Sequence, residues 1–74
     1  MGRSLSEIYD SCLKRLAEMH VEAVKTLNLL ALLIAHPQDQ ERRTALKFQR
    51  DRETKAQDEY KKCSQALLKR FQSQ

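Results

Sequence analysis

Seventy-four residues with four aromatics, no tryptophan, one glycine and one proline confine the chain to one small domain, because a chain of this length buries only about 60% of its unfolded surface. Apolar residues at 41% and charged residues at 32%, with so little glycine and proline, favour long helices over a β-sandwich or a disordered tail and leave too little core for a self-sufficient enzyme. The net charge of +4 belongs to the second half: residues 1–37 hold four bases and four acids, residues 38–74 ten bases and six acids. That mild basicity reads as a solvated helix surface with i,i+4 pairs such as Asp51–Lys55 and Asp58–Lys62, not as a nucleic-acid tail.

Met1 to Asp10 carries charges where a secretory signal would be apolar, so a cytoplasmic location is expected. The first six residues satisfy the loose N-myristoylation pattern, a short motif that matters only in a cell with the transferase. Ser4-Leu5-Ser6-Glu7 is a capping box and predicts a helix start. From there apolar residues recur at Leu5, Ile8/Tyr9, Cys12/Leu13, Leu16, Met19/His20, Ala23/Val24, Leu27, Leu30 and Ile34, in steps of three and four that define one helix face. The most apolar stretch, Leu27 to Ala35, is interrupted by Asn28 and falls far short of the ~20 residues a membrane span needs.

Pro37 ends this helix near residue 35, since its ring clashes with the preceding turn and biases His36 away from helical dihedrals. After a turn at about 36–39, Asp39 and Glu41 face the positive end of a second helix, expected over about 39–71. Its apolar row is sparser: Ala45, Phe48, Arg52, Ala56, Tyr60, Cys63, Leu67 and Phe71. A connection this short makes the helices antiparallel neighbours. The fold class is therefore all-α, an antiparallel two-helix hairpin over residues 1–74. Folding back about Pro37 places Leu27 against Phe48, Ala23 against Arg52, Leu16 against Tyr60, Cys12 against Cys63, Tyr9 against Leu67 and Leu5 against Phe71.

That register brings Cys12 and Cys63 together on the core face, as buried thiols, as a bridge in an oxidising setting, or as metal ligands; buried thiols are the reading that fits a reducing compartment. His36, at the turn, lies roughly 36 Å along the hairpin from the cysteines and His20 two turns from Cys12, so no four-ligand zinc site assembles and no metal or cofactor is expected. Neither a nucleophile–histidine–carboxylate set nor a glycine-rich phosphate loop is present, and no catalytic residue is assigned.

Around the first helix, Leu27, Leu29, Leu30, Leu32, Leu33 and Ile34 point in nearly all directions, more apolar surface than one partner helix covers. The residues expected to dock a partner helix are Leu29, Leu30, Leu32, Leu33 and Ile34, with Leu5, Ile8, Leu68 and Phe71 closing the open end. The partner is either a second copy, giving a four-helix bundle, or a helical hetero-partner. Arg43, Lys47, Arg50 and Lys61 form a basic row on the second helix that would contact phosphates if the chain were a dimeric nucleic-acid-binding regulator.

The length, the two long helices and the turn His36-Pro37-Gln38-Asp39 resemble the small helical-hairpin proteins of bacterial type III secretion, needle subunits and their co-chaperones. The second helix lacks the asparagine richness of needle subunits. The resemblance to the co-chaperone type implies a cytoplasmic, non-enzymatic protein whose leucines Leu29, Leu30, Leu32 and Leu33 hold a partner's helix.

Overall fold

Ser4 opens the first helix: its Oγ accepts a hydrogen bond from the Glu7 amide at 3.2 Å, satisfying one of the orphan donors of the first turn. The computed structural model describes residues 4–73, so the Met1–Arg3 part of the myristoylation pattern lies outside the described residues. Helix α1 runs Leu5–Ala35 and ends where the His36 amide donates to the Leu32 carbonyl at 2.9 Å. Pro37 breaks the ladder there, and His36 is the C-cap residue.

Helix α2 spans Gln40–Gln72 with Asp39 as its N-cap, Oδ1 accepting from the Arg42 amide at 3.1 Å. The turn is held by the first turn of α2. The Arg43 guanidinium donates twice to the Pro37 carbonyl, at 3.0 and 2.6 Å, and Arg42 pairs with Asp39 at 3.1 Å. Lys69 and Arg70 lie in the last turn of α2, where cations oppose the negative end of the dipole. The two helices pack antiparallel into a rod of 55 × 17 × 14 Å, and no strand occurs among the described residues.

The contact is one heptad seam per helix. On α1 the buried and half-buried positions include Leu5, Ile8, Cys12, Met19, Glu22, Thr26, Leu29 and Leu33; on α2 they include Arg42, Leu46, Gln49, Glu53, Ala56, Tyr60, Cys63, Leu67 and Arg70. With the exposed Arg15 as the position between Cys12 and Met19, these steps alternate between three and four, so the seams stay in register along the rod. Near the turn the α2 seam sits one residue beyond the row read from hydrophobicity. Leu46, Gln49 and Glu53 face α1 in place of Ala45, Phe48 and Arg52; at the open end the shift is the other way, with Arg70 in place of Phe71. Leu27 and Phe48, expected to face each other, are each 64% exposed. A seam through Ala45, Phe48, Arg52 and Ala56 takes two successive steps of four and drifts off the contact line; Leu46-Gln49-Glu53-Ala56 does not.

The surface ion pairs also fall elsewhere than expected. Arg15 bridges Glu18 at 3.1 Å and, across the hairpin, Glu59 at 2.9 Å, and Lys25 lies 3.6 Å from Glu22. Asp51–Lys55 and Asp58–Lys62 are not paired among these contacts, in line with the small worth of exposed i,i+4 pairs.

Only Ile8 and Cys12 are both apolar and buried among the described residues, each still 7% exposed. Ile8→Ala is therefore expected to lower the unfolding free energy by about 2 kcal/mol, while Phe48→Ala stays within about 0.5 kcal/mol of the parent despite the larger side chain removed. Urea titrations followed by helical circular dichroism separate the two; equal losses would place Phe48 in the contact after all.

Candidate functional site

The middle of the helix contact is polar. Gln49 Nε2 donates to the Glu22 carboxylate at 2.6 Å and to the Glu22 carbonyl at 3.1 Å. The Thr26 hydroxyl lies 3.1 Å from both the Glu53 carboxylate and the Glu22 carbonyl, sharing its one hydrogen between them. Thr26 and Gln49 are buried, yet no buried side-chain nitrogen or oxygen among the described residues lacks a partner. Matching donors to acceptors across the seam penalises any slip of one helix along the other, because a slip would strand these groups away from water. The Gln49 amide, then Lys25, hold the Glu22 carboxyl below its ordinary pKa, against the opposing effect of desolvation.

Towards the open end Cys12 and Cys63 meet, as the fold-back about Pro37 requires. Both are free thiols, with Sγ atoms 2.7 Å apart; Cys12 donates to Cys63, which in turn donates to the Ile8 carbonyl at 3.8 Å. Burial, reinforced by the hydrogen bond and charge of Cys63, pushes the Cys12 thiol up to about 11. Among the described residues no group of three or more histidine, cysteine, aspartate or glutamate side chains gathers to hold a metal.

The feature with chemistry to offer a partner is the outside of the rod. Displacing the inner seam of α1 by one residue gives Ser6, Tyr9, Leu13, Leu16, His20, Ala23, Leu27, Leu30 and Ile34, a second heptad seam turned about 100° from the first. It is the more apolar of the two. The inner seam carries Arg15, at its exposed rim, with Glu22 and Thr26; the outer one has Ser6 and His20 as its only polar side chains beside the Tyr9 hydroxyl. All of it but Ala23 is exposed, up to 81% at Ile34.

The same one-residue displacement on α2 gives Arg43, Lys47, Arg50, Thr54, Gln57, Lys61, Ser64, Leu68 and Phe71. In an antiparallel pair the two displaced seams fall on the same side of the rod, and over the half towards the open end the grooves bear this out. Leu5, Tyr9, Leu67, Leu68 and Phe71 line one stretch, and Tyr9, Leu13, Leu16, Tyr60 and Ser64 the next. Met19, Gln57, Lys61 and Ser64 line a third. One face of the hairpin thus carries leucines along α1, and along α2 a basic segment near the turn that gives way to Leu68 and Phe71 at the open end.

The nine residues expected to dock a partner divide accordingly. Leu30, Ile34, Leu68 and Phe71 lie on this face and are exposed; Leu32 is exposed elsewhere on α1. Leu5, Leu29 and Leu33 are half-buried and Ile8 is buried, all on the inner seam against α2. Tyr9, Leu13, Leu16 and Leu27 are exposed members of this face outside the set expected to dock a partner; the adjacent doublets Ile8/Tyr9 and Cys12/Leu13 are the signal, two seams side by side rather than one broad stripe. Arg43, Lys47, Arg50 and Lys61 are exposed on the same face. No helix of the described residues is long and apolar enough to cross a membrane. No family model, curated protein or solved structure matches the chain.

Two pH effects follow. The lowered Glu22 pKa means that the native state binds fewer protons than the unfolded chain, so its contribution is present above pH 4.5 and is lost as the pH falls below that value. In Glu22→Gln the acid side of a plot of urea midpoint against pH is expected to be shallower; an unchanged slope would remove the carboxylate from the account. The raised Cys12 pKa acts in the opposite direction, its contribution being complete below pH 9.0 and lost as the pH rises towards 11. Under reducing conditions the stability difference between the parent and Cys12→Ala should therefore shrink across that window.

Proposed function

We propose that this chain is a non-enzymatic protein-interaction module, a small adaptor or co-chaperone that docks a partner helix on the face carrying the outer seam of α1. The observation behind this reading is the ordering of the two seams: the hairpin buries the more polar one and leaves the leucine-rich one uncovered. An internal core built on Ile8 and Cys12, with polar groups at its centre, is thin for a free-standing domain. A partner helix seated in the groove completes a three-helix contact and gives the outer leucines a place out of water.

Surface area supports the same view. The accessible surface is 6088 Å² for an 8.7 kDa chain, whereas a compact monomer of that mass exposes about 4,700 Å². The excess is more than the about 800 Å² that each side contributes to an interface of ordinary size. A cytoplasmic setting and a type III secretion co-chaperone role, as the length and the Pro37 turn suggest, are compatible with such a module. The nucleic-acid reading rests on Arg43, Lys47, Arg50 and Lys61 alone; the leucine seam beside them offers nothing to a phosphate backbone.

A paired substitution tests the reading. Leu16→Gln with Leu27→Gln is expected to leave helicity and the urea midpoint close to the parent and to abolish the complex that the tagged chain forms in its own cell, measured as native mass. Leu29→Gln with Leu33→Gln, on the inner seam, should instead unfold the hairpin, by about 3 kcal/mol or more. If the outer pair unfolds the chain, or leaves the complex intact, the outer seam is not a docking surface.

A further inference from the structure

The docking reading leaves the partner's character open, and the distribution of charge on that face narrows it. Arg43, Lys47, Arg50 and Lys61 all fall on the outer seam of α2. Four of the chain's fourteen bases, equal in number to its net charge of +4, are thus aligned in one row. No acidic residue falls on either outer seam; Asp58 lies at the rim of the groove beside Lys61.

Nor is the row neutralised from within. Lys47, Arg50 and Lys61 make no ion pair among the described residues, and Arg43 spends its guanidinium on the Pro37 carbonyl without a carboxylate partner. The acids of α1, Glu7, Asp10, Glu18 and Glu22, lie off its outer seam, and Glu18 and Glu22 pair with Arg15 and Lys25. The uncovered face therefore joins an apolar stripe to an unopposed basic one, with the groove between α1 and α2 running between them.

Resting on the docking reading above, we infer that the occupant of this groove is an amphipathic helix with an acidic flank: apolar residues at heptad spacing against Tyr9, Leu13, Leu16, Leu27, Leu30 and Ile34, and carboxylates facing Arg43, Lys47 and Arg50. The face also sets the partner's lengthwise pattern. Its acids belong at the end over the turn, and leucine-like residues on both sides at the end over Leu68 and Phe71. From Tyr9 to Ile34 the seam is about 37 Å long, so the matching helix has about 25 residues.

A second copy of this chain fits that face poorly. Two copies meeting with their turns together, about a twofold axis along the rod, would set each Arg43-Lys47-Arg50 segment against the Leu27-Leu30-Ile34 stretch of its mate. With the turns apart, each basic segment would lie over the apolar Leu13-Leu16-Leu68-Phe71 end of its mate. Both arrangements bury charge without partners, and the first also gathers the two basic segments at one end; each effect disfavours association. An acidic helix meets neither obstacle and gains steering from the field of the row.

The test is a selection from a display library of helices of about 28 residues. Leucines are fixed at heptad positions, and the flank facing α2 is varied among Glu, Gln and Lys. Binders to the full chain should be enriched in Glu over Lys at the turn end by about tenfold, as expected for a few surface ion pairs, and their affinity should fall with added salt. The double variant Lys47→Glu, Arg50→Glu, whose changes are confined to exposed side chains, should reverse the preference to Lys. Enrichment that ignores flank charge, with binding still abolished by Leu16→Gln and Leu27→Gln, would overturn the acidic partner and leave the docking reading standing. No enrichment of any helix would overturn both. The acidic partner also falls if the chain alone is a stable dimer by light scattering, or if phosphatidylglycerol vesicles or duplex RNA compete more strongly than the selected peptides.

Discussion

In a two-helix hairpin each helix has one stripe to give to its neighbour, and the character of this molecule follows from which stripe α1 gives. Two heptad seams run along α1 one residue apart, and the one turned inward holds Arg15, Glu22 and Thr26 among its apolar members. Hydrophobic burial alone would favour the other. What selects the inner seam is a set of matched polar groups, Gln49 with Glu22 and Thr26 with Glu53, which have partners only in this alignment. Each such contact adds modestly to stability when made and costs more when broken in a buried place. Specificity of register and scarcity of internal apolar contact are thus two results of one choice.

The ends of the rod are arranged to the same effect. At the turn, backbone groups left over by Pro37 are taken up by α2: the Pro37 carbonyl by Arg43, the first amides by Asp39. At the open end the Cys12–Cys63 contact and Ile8 hold the helices where fraying would otherwise begin. Between them lies the Glu22–Gln49–Thr26–Glu53 centre. The hairpin is fastened at points along its length instead of by a continuous apolar core, which is why so much of α1 remains available.

The all-α hairpin was legible in the sequence because its signals are local and strong: a capping box at Ser4, a proline at position 37, and three-four periodicity on both sides of it. The fold-back about Pro37 also located the cysteine contact correctly, since the distance of each residue from a tight turn fixes its antiparallel partner. Less legible was which of two adjacent rows faces inward. Hydrophobicity drew Phe48 and Leu27 together, yet both face out, because the alternation of steps carries the α2 seam through Leu46, Gln49 and Glu53. The same ambiguity placed Ile8, Leu29 and Leu33 among the docking residues and passed over Leu13, Leu16 and Leu27. Periodicity identifies a set of faces; choosing among them required the cross-helix polar contacts, which no single helix displays.

Once the inner seams are fixed, the outer ones have no freedom left. A displacement of one residue on each helix of an antiparallel pair turns both to the same side, so the leucines of α1 and the bases of α2 must share a face. Neither row says much alone: leucines in excess suit any dimer, and scattered lysines and arginines suit any solvated helix. Their juxtaposition is the informative part, because a surface that presents apolar and cationic stripes in parallel across a groove distinguishes among occupants. Water satisfies only one stripe, and a second copy of the chain leaves the basic one without partners. A helix with its own apolar and acidic rows satisfies both, and the antiparallel geometry that turned the stripes to one side also spaces them as neighbouring helices are spaced, about 8–10 Å apart, the distance over which a third helix contacts two.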